Sequence, residues 1–305
     1  MPNWIGDAVL ALAVLQQKKD AAITLAAPPH LVPLCTVLAD YPVIPYVRSP
    51  HGKFRTTLTA LRKEHFSVVY VLPTSFSSAW LAWRSGIHRR RGIAREMREI
   101  FFTEILPRSL HSSTSHIINE YAAVTEAPLL SPSDWEGYTL ESAAQYAGCI
   151  VLCPGSKYGP TKRWPGYANL IGLLPKEQHI VLLGDRADED NAKAIASAAP
   201  GRVYNLIGQT TLAQAAAIIA GARLVVANDS GLMHVAGYLG TPVVGIFGST
   251  SPVWTRPLGK HVRVITAQVP CSPCFEKLCR YKHYNCLKSI TPEAVAACAA
   301  DLIAH

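Results

Sequence analysis

Short apolar, β-branched runs alternate along this chain with stretches of helical hydrophobic period. Runs of this length are typical of parallel strands that are buried on both faces. Eight of them predict strands: Ile23–Ala27, Val43–Val47, Ser67–Leu72, Cys149–Cys153, His179–Gly184, Val203–Ile207, Arg223–Asn228 and Pro242–Gly248. Helices are predicted between several of them, at Tyr167–Leu174, Glu189–Ala199, Leu212–Ala220 and Leu232–Leu239. The alternation indicates an α/β fold with parallel sheets.

The alternation is interrupted twice. Residues 87–111 are basic and irregular in pattern, and residues 127–141 contain Pro128, Pro132 and Gly137, as a linker would. A chain of 305 residues has the length of about two domains. We therefore predict one α/β domain over residues 1–142 and a second over residues 143–305.

Composition excludes several classes of protein. An apolar fraction of 49% excludes a disordered chain. The longest apolar run, Ala8–Val14, is too short to span a bilayer and lacks the basic lead of a signal peptide. We therefore expect a cytoplasmic protein, in which the eight cysteines are thiols or metal ligands rather than disulfides.

The N-terminus has an unusual pattern. Residues Met1–Asp7 read as a loop that runs into a helix over Ala8–Gln16, with no strand before it. The first strand of a doubly wound domain is usually central, and its loss would expose two sheet edges. Either the first strand is missing here and the native chain begins upstream of Met1, or this domain departs from its class.

Net charge points to an anionic partner. Lysine and arginine outnumber aspartate and glutamate by 29 to 21, which gives a charge of +8. Nucleic acid, an anionic membrane face and a phosphorylated substrate would each fit this charge. Ordinary charge for solubility is the alternative.

The segment Asn228–His234 follows one predicted strand and begins a helix. Asp229 or Ser230 can cap that helix, and Gly231 allows a ligand to approach its first N–H groups. These groups and the helix dipole make an anion site where open α/β sheets bind ligands. The alternative is simple capping, with His234 packed in the core.

A cationic loop, Cys153–Pro165, leaves the end of another predicted strand. It carries Lys157, Lys162 and Arg163 together with Ser156. Such cations can neutralise a pyrophosphate whose charge grows as it leaves during a reaction. The loop is not a Walker loop, and the chain has no Gly-x-Gly-x-x-Gly motif. Solvated loop charge is the alternative.

Asp7 is a lone carboxylate beside Gly6 in the opening loop. A carboxylate in such a loop can take a proton from an acceptor hydroxyl. On its own, an aspartate at this position is more often a helix N-cap.

A basic stretch lies between two of the predicted strands. It lacks the interleaved aromatic residues of a single-strand nucleic-acid binder, and arginine forks suit the phosphates and carboxylates of a glycolipid head or an anionic leaflet. A solvated face is the alternative. The stretch comprises Arg84, His88, Arg89, Arg90, Arg91, Arg95 and Arg98.

Four cysteines fall within 16 residues near the C-terminus. Cys271, Cys274, Cys279 and Cys286 could close a tetrahedral metal site, although their spacing differs from that of common zinc ribbons. Reduced structural thiols and redox bridging are the alternatives.

Taken in order, these segments resemble the ADP-heptose:lipopolysaccharide heptosyltransferases of glycosyltransferase family 9. The resemblance covers nearly the whole chain, and it is specific as a set although each motif alone is weak. The matching motifs are Pro2–Asp7, Leu72–Phe76, Gly86–Gly92, Cys153–Pro165, Asn228–His234, Gly240–Pro242 and Phe247–Pro252.

The resemblance implies a GT-B fold, in which two Rossmann-like, doubly wound parallel-sheet domains face a cleft. The N-terminal domain would bind the acceptor, the C-terminal domain would bind the ADP-sugar, and the last helix would pack back on the N-terminal domain. The implied reaction is inverting transfer of L-glycero-D-manno-heptose from ADP-heptose, with no required cofactor. The implied acceptor is heptosyl-Kdo2-lipid A, met at the anionic cytoplasmic face of the inner membrane, and nucleic acid is not an implied partner.

Roles for individual residues follow from the same resemblance. Asp7 occupies the position of the general base, and Lys162 the position that contacts the donor phosphates. Either Asp185 or Asp188 would bind the ribose. The donor set is Ser156, Lys162, Arg163, Asp188, Asp229, Ser230, Gly231 and His234, and the acceptor set is Ser75, Arg89, Arg90 and Arg91.

Three other functions compete with this interpretation. A related transferase could use another acceptor or another heptose. A non-catalytic protein that binds sugar nucleotides or lipid heads is disfavoured, because binding alone needs neither the base Asp7 nor the lysine Lys162. A dinucleotide oxidoreductase is disfavoured by the missing glycine motif.

Overall fold

The computed structural model describes residues 1–47, 53–107 and 114–304. The chain forms two compact units, Met1–Leu130 and Ser131–His305. The division falls about twelve residues before the predicted boundary near residue 142. The reason is that the proline-containing segment packs on the second unit: Trp135 Nε1 and Tyr138 N both donate to the Tyr238 carbonyl, at 2.7 and 2.8 Å.

Unit 1 alternates helices and strands. Its helices within the described residues are α1 (Ile5–Leu15), α2 (Val32–Leu38), α3 (Lys53–Lys63), α4 (Phe76–Ser85) and α5 (Ile117–Thr125). Its strands within the same residues are β1 (Leu25–Ala27), β2 (Val43–Pro45), β3 (Val68–Val71), β4 (Arg89–Ile93) and β5 (Glu104–Leu106). They form two separate parallel sheets, β1-β2 and β3-β4-β5.

Helix α1 begins earlier than the apolar pattern predicts. It starts at Ile5 rather than Ala8, so Asp7 lies in its first turn and not in a loop. A carboxylate there interacts favourably with the positive end of the helix dipole. Because Ala8 to Leu15 are buried on every side of the helix, α1 is an internal element of unit 1.

The stretch 87–111 is not irregular as expected, because β4 and β5 lie within it. The sequence did not predict β4 because charged residues alternate along it. Arg89 and Arg91 lie on one face of the strand, and both form ion pairs with Glu104 of β5. Residues 108–111 lie outside the described part of the chain.

Unit 2 contains one parallel sheet of six strands in the order β11-β10-β9-β6-β7-β8. Its strands are β6 (Ile150–Cys153), β7 (Ile180–Leu182), β8 (Val203–Asn205), β9 (Leu224–Asn228), β10 (Val243–Phe247) and β11 (Val262–Thr266). Its helices are α6 (Tyr167–Leu173), α7 (Glu189–Ala196), α8 (Leu212–Ala220), α9 (Gly231–Leu239), α10 (Pro252–Thr255), α11 (Asn285–Lys288) and α12 (Pro292–Ala304).

The centre of this sheet is fully apolar. Val225 of β9 is in register with Val151 of β6 on one side and Val243 of β10 on the other, and none of the three is accessible to solvent. All eight predicted strands are present, shortened by at most two residues at either end. Helix α12 covers the sheet by packing on α6 and on β9, β10 and β11. Its expected contact with the N-terminal domain stays a prediction.

Within residues 1–47, 53–107 and 114–304, no helix combines the length and the apolar character that crossing a bilayer would require.

Candidate functional site

The predicted donor motifs meet at one edge of the unit 2 sheet. Strands β6 and β9 are neighbours, and the chain leaves β6 toward β7 on one side while β9 leads to β10 on the other. Open α/β sheets bind ligands at the carboxyl ends of strands where the strand order reverses in this way. The loop after Cys153 and the turn after Asn228 both begin at this point.

Lys162, Asp229 and Thr250 form a tight polar cluster at this edge. Lys162 Nζ lies 2.5 Å from Asp229 Oδ2, and Thr250 Oγ1 donates to the same oxygen at 2.5 Å. Asp229 is almost fully buried, and 13% of the Lys162 side chain is exposed. The ammonium also lies 4.7 Å from the centre of the Tyr158 ring. The carboxylate therefore fixes the position of a cation that solvent can still reach.

The N-terminus of α9 adjoins this cluster. Ser230 is its N-cap residue but makes no side-chain capping bond, and Asp229 is engaged with Lys162 and Thr250 instead. Ser230 therefore has the predicted N-cap position, but neither Ser230 nor Asp229 makes a side-chain capping bond. Gly231 begins the helix, and the buried His234 places Nε2 3.9 Å from Asp229 Oδ1. First-turn N–H groups without a side-chain cap are the donors that bind phosphate oxygens in helix-terminus sites.

Asn228 holds the cationic loop in place, a role that the sequence analysis missed. Its Nδ2 donates to the Pro154 carbonyl at 2.7 Å, and its Oδ1 accepts from Trp164 N and Tyr167 OH, each at 3.2 Å. Asn228 is completely buried. One amide therefore ties both ends of the Lys162 loop to the end of β9.

Arg163 and Ser156 of the same loop form a second cluster with Asp188, which follows β7. Arg163 Nη2 lies 2.9 Å from Asp188 Oδ1, and Arg163 also donates to the Ser156 carbonyl. Asp188 is buried, and burial raises the pKa of its carboxyl although the Arg163 cation opposes this. Gly155 packs so closely on Asp188 that an added Cβ would meet Oδ2 at 2.0 Å.

Asp185, the other candidate for the ribose, is half exposed. It accepts from Ala187 N at 3.2 Å and pairs with Lys157 at 3.0 Å, and both contacts lower the pKa of Asp185. Asp185 is therefore a local cap, whereas Asp188 is packed against the loop that carries Lys162.

In unit 1, Asp7 is half-buried and has a partner that the sequence does not reveal. Tyr121 of α5 donates its hydroxyl to Asp7 Oδ1 at 3.1 Å. Burial and the negative charge of Asp7 raise the pKa of Tyr121 well above its usual value, so the phenol stays a donor at neutral pH. A neutral donor thus holds the Asp7 carboxylate, and its role as the general base stays a prediction.

Ser75 is the N-cap residue of α4, where its hydroxyl donates to Ser78 Oγ at 3.1 Å. The loop before it is fixed by Arg98, which donates to the carbonyls of Pro73 and Ile93. Arg98 is fully buried. It is therefore a structural residue and not part of a basic surface.

The predicted acceptor arginines all have partners within unit 1. Arg89 and Arg91 pair with Glu104 and Glu126, and Arg90 donates to the carbonyls of Ile87, His88 and Phe101. Arg89 and Arg91 lower the pKa of Glu104 to about 2. These pairs neutralise most of the charge on which the acceptor prediction was based, and acceptor binding by the three arginines stays a prediction.

The four cysteines Cys271, Cys274, Cys279 and Cys286 are free thiols that follow β11. Among the described residues, no three histidine, cysteine, aspartate or glutamate side chains are already arranged to hold a metal ion.

The sequence matches one protein family over most of its length. A model of glycosyltransferase family 9 (heptosyltransferase) matches residues 55–285. The lipopolysaccharide heptosyltransferase 2 of Escherichia coli K12 is 30% identical over 87% of this chain and 86% of its own length. The lipooligosaccharide heptosyltransferase 2 of Haemophilus ducreyi is 31% identical with the same coverage.

Solved structures match the fold of the whole chain. The structure of E. coli ADP-heptose lps heptosyltransferase II has a TM-score of 0.83 at 28% identity, over 99% of this chain and 97% of that one. E. coli heptosyltransferase WaaC with ADP has a TM-score of 0.77 at 19% identity, over 99% and 98% of the two chains, and shows the fold alone. The predicted fold class, a GT-B fold with parallel sheets, is confirmed.

Proposed function

The chain belongs to glycosyltransferase family 9, and from that premise we propose that it transfers heptose from ADP-heptose to the inner core of lipopolysaccharide. The relatives named above are heptosyltransferases 2, which supports this transfer, and we propose as the acceptor a core that already carries one heptose. A related transferase with another acceptor is the second candidate.

The observation that carries the proposal is the Lys162–Asp229–Thr250 cluster beside the N-terminus of α9. The cluster supplies one oriented cation and the helix supplies N–H donors, which together match a pyrophosphate that gains charge as it leaves. Asp229 keeps the ammonium in place before the donor binds, so less reorganisation is needed at the moment of reaction.

The reaction is a single displacement at the anomeric carbon. The acceptor oxygen forms a bond to that carbon while the bond to the β-phosphate oxygen of ADP breaks, which inverts the configuration. The hydroxyl proton passes to the Asp7 carboxylate, and the charge of the departing ADP is met by Lys162 and the first N–H groups of α9. No cofactor enters these steps, and we propose that none is required.

The test of the reaction uses purified full-length protein, ADP-heptose and Kdo2-lipid A cores with zero, one or two heptoses. We expect transfer to the one-heptose core alone. Transfer to a different core would favour the second candidate, and transfer to none would favour a non-catalytic binding protein. Asp7→Asn should abolish transfer while ADP-heptose binding, measured by calorimetry, is kept.

A lipid-linked acceptor requires the enzyme to meet a membrane, and we propose that unit 1 makes this contact through an exposed aromatic surface. This aromatic surface consists of Phe76, Trp83, Met97 and Ile100. Phe76 and Trp83 pack on the Phe101 ring, at 5.0 and 5.8 Å between ring centres, and Ile100 is 77% exposed. Aromatic and apolar side chains at the surface of a basic protein suit the interface of an anionic bilayer.

Vesicle flotation tests the membrane contact. We expect the protein to float with vesicles that contain phosphatidylglycerol and to float less with pure phosphatidylcholine. The double variant Trp83→Ser, Ile100→Ser should lose flotation, whereas Leu173→Ser on α6, an equally exposed apolar residue of unit 2, should not. Equal loss in both variants would refute the assignment of this surface.

A further inference from the structure

The four clustered cysteines line one small cavity. Its volume is about 20 Å³, enough for a single ion or water molecule, and His283 and Ser249 line it as well. Cys286 is buried, and the other three cysteines are partly buried. Among the described residues, the fully buried Ser249 Oγ is one of the few side-chain atoms without a hydrogen-bond partner. A buried polar atom of this kind beside a cavity indicates that something polar occupies the cavity.

The segment that carries these cysteines is held by hydrogen bonds to neighbouring loops and not by regular secondary structure. Residues 267–284, between β11 and α11, contain no helix or strand. Phe275, Leu278 and Tyr281 are 42%, 68% and 59% exposed, whereas Ala267 and Val269 at the start of the segment pack on the core of unit 2. Ordered loops of this length without regular structure are uncommon and are usually functional or cross-linked.

The backbone of this segment turns tightly around two of the sulfurs. Phe275, directly after Cys274, and Lys282, three residues after Cys279, both have left-handed backbones, with φ of 57° and 59°. Non-glycine residues in this region are strained, and the surrounding structure must offset that strain. At the second turn, Lys282 N donates to the Cys279 carbonyl at 3.0 Å.

We propose that Cys271, Cys274, Cys279 and Cys286 bind one thiophilic divalent ion, Zn²⁺ or Fe²⁺, in a tetrahedral site of four sulfurs. Both ions bind to four thiolates in a tetrahedral arrangement. The four side chains must come closer together to coordinate, because among the described residues no three are arranged to hold an ion. The thiol protons pass to solvent on binding, and Arg280, which also lines the cavity, offsets part of the negative charge of the centre.

By fixing the cysteine segment, the ion would stabilise the position of the loop that carries Lys162. The Thr161 hydroxyl donates to the Glu276 carbonyl at 2.6 Å, and Tyr158 OH donates to the Phe275 carbonyl. On the other side, Cys274 N and Phe275 N donate to the Ser249 carbonyl at 3.0 and 2.7 Å. Ion binding does not depend on the proposed function, whereas an effect of the ion on donor use does.

The test measures metal in the full chain, purified without added metal or chelator. Elemental analysis by plasma mass spectrometry should find about one zinc or iron atom per chain, and its element decides between the two ions. Cys279→Ser and Cys274→Ser should each lower the content by at least fivefold. Cys298→Ser, a partly buried thiol that does not line the cavity, is the matched control and should keep the metal.

A second measurement avoids reliance on variants that fail to fold. Titration of the native protein with a mercurial should release the ion to a chromophoric chelator as four thiols react. The proposal is overturned if the native protein holds no ion and its reduced form does not take up Zn²⁺ in competition with that chelator. It is equally overturned if mass spectrometry finds a disulfide within the four cysteines, or if Cys298→Ser loses as much metal as Cys279→Ser.

Discussion

Lys162 Nζ lies 2.5 Å from Asp229 Oδ2, and this contact joins the two donor motifs across neighbouring strands. Asp229 is 4% exposed, so it depends on Lys162 and Thr250 for compensation of its charge. We therefore propose two separable tasks for the lysine: it stabilises the folded unit, and it contacts the donor.

Lys162→Ala should affect both tasks. We expect the free energy of unfolding to fall by about 3 kcal/mol, because an unpaired buried carboxylate remains, and kcat/KM for ADP-heptose to fall by about 100-fold. Addition of Asp229→Asn should restore most of the stability without restoring transfer. Urea unfolding and initial-rate kinetics measure the two effects, with the exposed Lys193→Ala on α7 as control. Recovery of transfer in the double variant would show that the lysine acts on stability alone.

Tyr121→Phe tests the support of the proposed base. The change removes the hydroxyl that donates to Asp7 Oδ1 at 3.1 Å and keeps the ring in the core. We expect kcat to fall about 10-fold, the scale of one hydrogen bond to a charged group, with the KM for ADP-heptose unchanged.

The control for Tyr121 is Tyr41→Phe, which removes a tyrosine hydroxyl elsewhere in unit 1. It should leave kcat within a factor of two. Equal losses in both variants, accompanied by equal falls in melting temperature, would assign the Tyr121 effect to stability.

Much of the fold could be predicted from sequence because the buried parallel strands are continuous apolar runs. All eight predicted strands are present, whereas β4, β5 and β11 were not predicted, and β4 was missed because its arginines do not read as a strand. The charges of Arg89 and Arg91 are neutralised by Glu104, which is the register partner of Arg91 in the sheet, and by Glu126 of the segment after α5. Such long-range compensation is not visible in a local pattern.

The donor motifs could be recognised from sequence, but their contacts could not. Lys162 and Asp229 meet because β6 and β9 are neighbours, and strand order is a property of the tertiary fold. Tyr121 and Asp7 are 114 positions apart and share no motif. Asp188 and Asp185 were indistinguishable until burial separated them.

The Glu104 carboxylate should make the protein sensitive to acid. Its pKa in the folded state is about 2, below the ordinary value of 4.5, because Arg89 and Arg91 donate to it. A carboxyl with a lowered folded pKa contributes stability that is complete above about pH 5 and is lost as pH falls toward 2.

Glu104→Gln should therefore lower the free energy of unfolding at pH 7, and the difference from the unsubstituted protein should shrink between pH 5 and pH 2. Urea unfolding at several pH values measures this difference. Glu64→Gln, at an exposed position after α3, should show no such dependence. A difference that stays constant down to pH 2 would contradict the role of the Glu104 charge.

Gly155→Ala tests how closely the donor loop packs on Asp188. The added Cβ would meet Asp188 Oδ2 at 2.0 Å, so either the carboxylate or the loop must move. We expect a loss of about 2 kcal/mol in the free energy of unfolding, within the range for overpacked cores, and weaker ADP-heptose binding because Arg163 loses its partner at 2.9 Å.

Gly172→Ala on the exposed face of α6, where nothing lies within 4 Å, should instead leave stability unchanged or raise it by up to about 1 kcal/mol. Combining Gly155→Ala with Asp188→Ala removes the clash, so the double variant should lose less stability than the sum of the two single variants. Additive losses would mean that Gly155 and Asp188 do not constrain each other.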